Sequence, residues 1–223
     1  MIQIITRYGN LLLLAMGQTL LLALCGLFFA CILGMFFGLL SVLKNKACRI
    51  ISSIFVDVIR GVPMIVLAYF IYFGVPYCLN NMIGFNFTLT ALQAGTVCLA
   101  LNCGAYMAEI IRAGILSVDS GQMEAGRAVG LSFGTSMMKI VIPQAVKNIL
   151  PALCNEFISL LKETSISGYI GLMDLTKGGD IIRSVTYEAF MPLIAVAVIY
   201  LLMVVGLSKA VGVLERKLRN NER

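Results

Sequence analysis

The chain has 223 residues, of which 60% are hydrophobic and 13% are charged, and its mean hydropathy is +0.95. Soluble domains carry about 25% charged residues, so this composition excludes a soluble globular protein and indicates an integral membrane protein. Histidine is absent, which excludes Ser–His or Cys–His catalysis and a histidine-based metal site within the chain.

Other signals of chemistry are also missing from the sequence. The seven cysteines form no Cys-x-x-Cys pair, so we interpret them as small apolar side chains rather than as disulfides or metal ligands. No nucleophile–base pairing and no P-loop pattern occurs, so we predict a non-catalytic chain without a metal or another cofactor. The net charge of +6 is attributed to membrane topology rather than to nucleic acid.

Five transmembrane helices are predicted, at about 11–43, 50–78, 88–111, 145–165 and 189–207. The first run holds 33 consecutive residues without a charge, and about 20 apolar residues cross a bilayer. Only Arg7 precedes this run, which is too long for a cleaved signal peptide, so we interpret it as a membrane helix. Twelve basic residues would face the cytoplasm and three the outside if the N-terminus were outside, which predicts a cytoplasmic C-terminus.

The first two predicted spans carry distinct local signals. In the first, small residues at Gly26, Ala30, Gly34 and Gly38 recur every four positions, which predicts a face for close helix packing. In the second, Pro63 and the residue before it disfavour a helix, so we expect one helix to end near Arg60 and another to start at Pro63. Asp57 and Arg60 can pair across three positions, either to fix this bend or to act in gating.

Polar residues recur at helical spacing within the third and fourth spans. They lie on one face of each helix, which is typical of a path for polar solutes or of a polar subunit interface. The candidate pathway-lining residues are Asn102, Tyr106, Asn155, Ser159 and Thr164. Lys162 and Glu163 have an alternative place at the outer headgroup level.

The segment 112–144 is the longest polar interruption between spans. Glycine at 130 allows a turn that a Cβ would obstruct, after a short amphipathic helix. Ser132 or Thr135 can cap the helix that restarts there, and Pro143 is expected to hold Ile142 extended. The segment is therefore predicted to project from the membrane and to offer an apolar tip to a groove on a partner.

This segment resembles the signature of the permease subunits of bacterial ABC importers, E-A-A, three residues, Gly, nine residues, then I-x-L-P. The matching residues are Glu124, Ala125, Gly126, Gly130, Ile140 and Pro143. Two positions depart, because Gly126 replaces the second alanine and Ile142 replaces leucine. Further segments at 60–70, 105–132 and 155–166 resemble the polar amino acid uptake subfamily.

The resemblance implies an all-α membrane protein with the type I importer permease fold, in which residues 1–223 form a single transmembrane domain. It implies a coupling helix that contacts a separate ATPase subunit through the six signature residues, and an extracytoplasmic binding protein that delivers an amino acid. It also implies a second permease subunit, as a homodimer or a heterodimer, in the bacterial inner membrane, in contact with membrane lipid but not with nucleic acid. An ion-driven secondary transporter and a non-transporting scaffold are the alternatives. Glu109 and Lys162 carry opposite charges, so the sequence does not indicate whether the transported amino acid is cationic, acidic or neutral.

Overall fold

A computed structural model describes residues 2–84 and 86–220 as helices joined by short connections. The helices are α1 (Ile2–Val42), α2 (Lys46–Gly61), α3 (Met64–Ile83), α4 (Ala91–Leu116), α5 (Ser120–Ala128), α6 (133–163), α7 (Leu175–Thr186) and α8 (Met191–Asn220). A 3₁₀ helix, Thr164–Ile170, follows α6 directly. Within the described chain, four stretches are long and apolar enough to cross a membrane, namely Thr6–Val42, Met64–Ile83, Ala91–Leu116 and Met191–Val213.

Two predicted spans differ from this set of helices. The predicted span 50–78 is divided between α2 and α3, and only α3 has the length and composition to cross a membrane. The predicted span 145–165 lies within α6 and its 3₁₀ extension, and α6 is not among the four apolar stretches. Its ionisable residues, Lys147, Glu156, Lys162 and Glu163, lower its mean hydropathy.

Helix α1 packs closely along α4 through its small residues, as the sequence predicted. A Cβ at Gly34 would lie 2.5 Å from Cβ of Met107, and a Cβ at Gly38 would lie 2.9 Å from Cβ of Ile111. Ala30, between these glycines and Gly26, is completely buried. The four-residue repeat therefore brings two backbones close enough that larger side chains would separate the helices.

The break between α2 and α3 also follows the prediction. Val62 adopts extended angles (φ −103°, ψ 131°), and the new helix starts at Met64, one residue after Pro63. Proline lacks an N–H and disfavours helical angles at the residue before it, so the first helix ends at Gly61.

The predicted break at Pro143 is wrong. Ile142 is helical (φ −60°, ψ −44°), and α6 continues through Pro143. A π-helical turn, Met137–Val141, directly precedes this position. A wider turn of this kind relieves the clash between a proline ring and the preceding carbonyl groups, so the helix continues without an extended residue.

Helix α4 is the centre of the fold. Its start is fixed by a capping box in which Thr90 accepts from the Gln93 amide and the Gln93 side chain accepts from the Thr90 amide. In α4, 67% of the apolar window is buried inside the chain, against 28% in α1 and 17% in α3 and α8. One core cluster joins α1, α4 and α6 through Leu22, Ala30, Leu99, Cys103, Leu160 and Leu161.

The segment 164–190, between α6 and α8, is fixed by a buried carboxylate. Asp174 is completely buried and accepts hydrogen bonds from the Thr176 amide (3.0 Å) and the Lys177 amide (3.1 Å), which caps α7. The Tyr200 hydroxyl of α8 donates to the same carboxylate at 3.4 Å. Burial raises the pKa of the Asp174 carboxyl above its ordinary value, and these hydrogen bonds oppose the rise.

Candidate functional site: a helical tip and a polar interior

Helix α5 is a short helix with defined signals at both ends. At its start, Oδ1 of Asp119 accepts from the Gly121 amide at 2.6 Å. At its end, the Leu131 amide donates to the Gly126 carbonyl and the Gly130 amide donates to the Arg127 carbonyl, both at 3.1 Å. This pair of bonds is a Schellman motif, which stops the helix.

Gly130 supplies the left-handed residue that this motif needs. Its φ is +89°, and a Cβ added there would meet no atom within 4 Å. The requirement for glycine is therefore conformational rather than spatial, because L-residues with a side chain rarely adopt this angle. The predicted turn at Gly130 is confirmed.

Helix α6 restarts immediately after this turn. Oγ of Ser132 accepts from the Thr135 amide at 3.1 Å, so Ser132 is the cap of the two predicted candidates. The Arg127 guanidinium donates to the Leu131 carbonyl at 2.9 Å across the turn. Four residues, 129–132, thus join α5 to α6, and the backbone amides of the first three have defined partners.

Gly126 lies where α5 packs against the first turns of α6. A Cβ at this position would lie 2.7 Å from Oγ of Ser136 and 2.9 Å from Cδ1 of Ile140. Ser136 is completely buried, and its hydroxyl has no hydrogen-bond partner within the described residues. The serine at 136 thus occupies the space that the alanine of the signature would need, which gives a physical reason for the glycine.

The tip of this helix–turn–helix is exposed and partly apolar. Val129 is 79% exposed and Met138 65% exposed, and Glu124 and Ala125 are also on the surface. Of the other signature residues, Gly126 is buried, Ile140 is half-buried against it, and Pro143 is exposed on α6. The signature therefore contributes both to a surface and to the packing that supports that surface.

The tip is attached firmly to the body of the molecule. A core cluster at the ends of α4 and α6 contains Ile111, Ile115, Val141, Ala145 and Ile149, and Val118, Met123 and Met137 pack against it. Asn148 also donates to Oγ of Ser117 at 2.9 Å. Met123 of α5 thus packs against a cluster that the ends of α4 and α6 share.

The candidate pathway residues do not form one surface. Asn102 is buried and donates from Nδ2 to Oε2 of Glu163 at 3.1 Å. Thr164, the neighbour of Glu163, is completely buried and donates to the Leu161 carbonyl. Ser159 is half-buried and Asn155 is exposed, so α6 carries its polar residues from the surface into the interior.

The fifth candidate, Tyr106, lies in a different environment. The Arg60 guanidinium lies 4.6 Å from the centre of its ring, a cation–π arrangement. The predicted pairing of Arg60 with Asp57 is not observed between these two described residues, because Asp57 instead accepts from the Ser53 hydroxyl at 3.0 Å. Arg60 therefore contacts Tyr106 of α4 instead of pairing with Asp57 within α2.

Glu163 was not among the candidate residues, and the sequence left open whether it lies at the outer headgroup level. It follows Lys162 near the end of α6, and its half-buried carboxylate contacts a helix 61 positions earlier in the chain. The sequence shows that this carboxylate lies next to a polar stripe. It does not show the contact with Asn102, because that contact depends on the packing of α6 on α4.

This all-helical membrane chain, with a rigid exposed tip and polar side chains between its central helices, has the architecture of a membrane component of a transport system. Residues 26–220 match the family described as "Binding-protein-dependent transport system inner membrane component". The match covers well over half of the chain, so the chain belongs to this family, and the family predicted from the sequence is confirmed.

Individual proteins of this type are similar over most of their length. A Rickettsia bellii (strain RML369-C) protein named "Putative glutamine transport system permease protein GlnP" is 41% identical over 180 residues, 81% of this chain and 80% of its own. The arginine transport system permease protein ArtQ of Bacillus subtilis (strain 168) is 39% identical over 77% of this chain and 76% of its own.

A solved structure is similar over nearly the whole fold. A chain of the crystal structure of an amino acid ABC transporter with histidines superposes with a TM-score of 0.86 at 41% identity, covering 96% of both chains. This similarity supports the observed arrangement of helices.

Proposed function

We propose that the chain is the permease subunit of an ABC importer that moves a polar amino acid across the bacterial inner membrane. The curated relatives are named for glutamine and arginine transport, and the similar structure is that of an amino acid transporter. In this assignment a binding protein delivers the amino acid outside, and a separate ATPase subunit supplies energy inside.

We further propose five membrane crossings, with α6 as the fourth, the N-terminus outside and the C-terminus in the cytoplasm. Four apolar stretches and the distribution of basic residues support this topology. Helix α6 crosses despite its polar residues, because Asn102 of α4 satisfies the carboxylate of Glu163, and the exposed Asn155 would face the paired subunit.

The tip formed by α5 and Gly130 docks in a groove of the ATPase subunit. The observation that carries this assignment is the combination of an exposed apolar tip with a rigid attachment to α4 and α6. An apolar tip of this kind is suited to a helix-in-groove contact. Glu124 and Ala125 contribute surface, whereas Gly126, Gly130, Ile140 and Pro143 maintain its shape.

The mechanism follows from this attachment. Closure of two ATPase subunits around ATP moves the two grooves, and each α5 moves α4 and α6 as one unit. The path between paired permease subunits, identical or related, then opens outward, and hydrolysis reverses the change. The states must differ in their contacts with nucleotide-bound ATPase, because ATP could not otherwise shift their balance.

The cargo path runs along α4 and α6 in the paired subunits. Asn102, Tyr106, Asn155, Ser159 and Thr164 are the proposed lining residues. In this chain alone Thr164 is buried, whereas Asn155 and Tyr106 reach the surface, so the path needs the second subunit and a change of conformation to include them all.

Substitution at Gly130 tests the coupling role. Gly130→Val places a β-branched residue at φ +89°, which costs more than about 2 kcal/mol and displaces the tip. We expect ATP-driven uptake to fall at least tenfold, because ATPase turnover no longer drives the permease. The measurement is uptake and ATP hydrolysis by the complete transporter in liposomes.

Gly130→Asn is the matched control, because asparagine tolerates left-handed angles, and it should keep most of the uptake. Normal coupled uptake in the valine variant would contradict the coupling role. Equal loss in both variants would show that glycine is needed for another reason.

A further inference from the structure

A polar cleft separate from the tip lies between α1, α2 and α4. Its volume is about 480 Å³, and it is lined by Ser41 of α1, by eight residues of α2 from Lys46 to Arg60, and by Ala108, Glu109 and Arg112 of α4. The polar residues of α2 that line the cleft include Lys46, Arg49, Ser53, Asp57 and Arg60, which recur at three- and four-residue steps and so form one stripe along its length. The lining includes no residue of the coupling signature and none of the five proposed cargo residues, although Arg60 at its edge contacts Tyr106.

The cleft carries more positive than negative charge. Four cationic side chains, Lys46, Arg49, Arg60 and Arg112, line it with two carboxylates, those of Asp57 and Glu109.

One of the four cations is already neutralised. Arg112 donates to both oxygens of Glu109, at 2.6 and 3.0 Å, so the two side chains neutralise each other. Arg60 faces the ring of Tyr106, and Asp57 accepts from Ser53. No carboxylate within the described residues forms an ion pair with Lys46 or Arg49, which are exposed near the start of α2.

Apolar surface continues directly from the cleft. Ile50 lines the cleft and is 49% exposed, and Ile51 and Ile54, at 55% and 57%, extend this surface along α2. Both isoleucines are within one turn of Ile50 on a helix, so a chain-like apolar ligand could lie beside the cleft. A site for a small soluble anion would not need this surface.

We propose that this cleft binds the headgroup of an acidic phospholipid, with its phosphate at Lys46 and Arg49 and its acyl chains against the isoleucines of α2. Basic pockets between membrane helices bind such headgroups, and each nearby cation contributes favourably. The binding itself depends only on the cleft, and its placement in the cytoplasmic leaflet rests on the proposed topology.

Lipid binding is measured on the purified permease–ATPase complex by native mass spectrometry in detergent. Phosphatidylglycerol and phosphatidylethanolamine are titrated separately, with and without inorganic phosphate. The wild-type complex should bind phosphatidylglycerol more tightly than phosphatidylethanolamine. Lys46→Gln and Arg49→Gln should each weaken that binding by about fivefold, and the double variant by roughly 20-fold.

Controls separate a specific site from general charge. Lys209→Gln removes an exposed cation elsewhere in the chain and should leave phosphatidylglycerol binding unchanged, and Arg49→Lys should retain it. Basal ATPase activity of the detergent-purified complex reports that each variant is folded, independently of coupled uptake.

Three results would overturn the proposal. They are equal binding of the two lipids, an equal loss of binding in Lys209→Gln, and displacement of phosphatidylglycerol by inorganic phosphate, which would assign the cleft to a soluble anion.

Discussion

The segments 117–132 and 164–190 both connect long helices, and both begin a helix on an aspartate, but their surroundings are opposite. Asp119 caps α5 at the surface, whereas Asp174 caps α7 in the completely buried interior. The first segment leaves Val129 79% exposed at its tip. The second directs Tyr200 of α8 onto its aspartate.

We propose that segment 117–132 is a partner surface and that segment 164–190 is a structural connection. Segment 164–190 is anchored in the interior, where Oγ1 of Thr19 of α1 accepts from the Leu175 amide at 2.9 Å, although its Tyr187 is 94% exposed. In segment 117–132 the backbone groups of the turn are hydrogen-bonded, but the apolar side chain of Val129 at the tip is exposed. Substitutions in segment 117–132 should therefore affect coupling, and substitutions in segment 164–190 should affect stability.

The largest expected effect is that of Asp174→Ala. It removes a buried acceptor from two backbone amides and from Tyr200, which should cost about 2–4 kcal/mol and lower the apparent melting temperature of the complex. Asp119→Ala is the matched control, and it should cost about 1 kcal/mol, mostly local to α5. Similar melting temperatures for the two variants would remove the contrast between the segments.

Gly126→Ala should have an intermediate effect. The new methyl group would meet Oγ of Ser136 at 2.7 Å, which should cost about 1–3 kcal/mol and shift α5 against α6. ATP-driven uptake measures this shift, because it depends on the position of the tip.

Ser136→Gly provides the compensating change, because it removes Oγ and Cβ of Ser136 and leaves only Cδ1 of Ile140, the end of a flexible side chain, near the methyl group. Added to Gly126→Ala, it should restore uptake. Glycine at 136 lowers helix stability by about 1 kcal/mol, and Ser136→Gly alone measures this cost. Additive losses in the double variant would show that the contact between these positions is not the reason for the glycine.

Local signals in the sequence predicted much of this architecture. The turn at Gly130, the small-residue face of α1 and the break before Met64 each depend on residues within a few positions of one another. Asp174 carried a similar local signal, since aspartate before an apolar residue is a common helix cap, but nothing local showed that it would be buried.

One local turn and several tertiary contacts explain what the sequence did not predict. Pro143 was expected to end the helix, but a π turn before it keeps α6 continuous. Arg60 was expected to pair with Asp57, but packing of α2 on α4 places it over Tyr106. The contact of Asn102 with Glu163 likewise requires two helices distant in the chain to pack together.

The smallest expected effect is that of Arg127→Gln. The arginine donates to the Leu131 carbonyl beside Gly130, but at an exposed site such a hydrogen bond contributes only about 0.5–1 kcal/mol. Uptake should fall less than threefold, because the Schellman bonds still hold the turn. A loss as large as that of Gly130→Val would mean that Arg127 itself contacts the ATPase subunit.

Photo-crosslinking of the complete transporter in membranes tests the central claim, that the tip of segment 117–132 contacts the ATPase. A photoreactive phenylalanine analogue replaces Val129 at the tip or, as a control, Tyr187, which is 94% exposed in segment 164–190. The account predicts that the probe at 129 captures the ATPase subunit and that the probe at 187 does not. Capture of the ATPase from 187, or from neither position, would contradict the account.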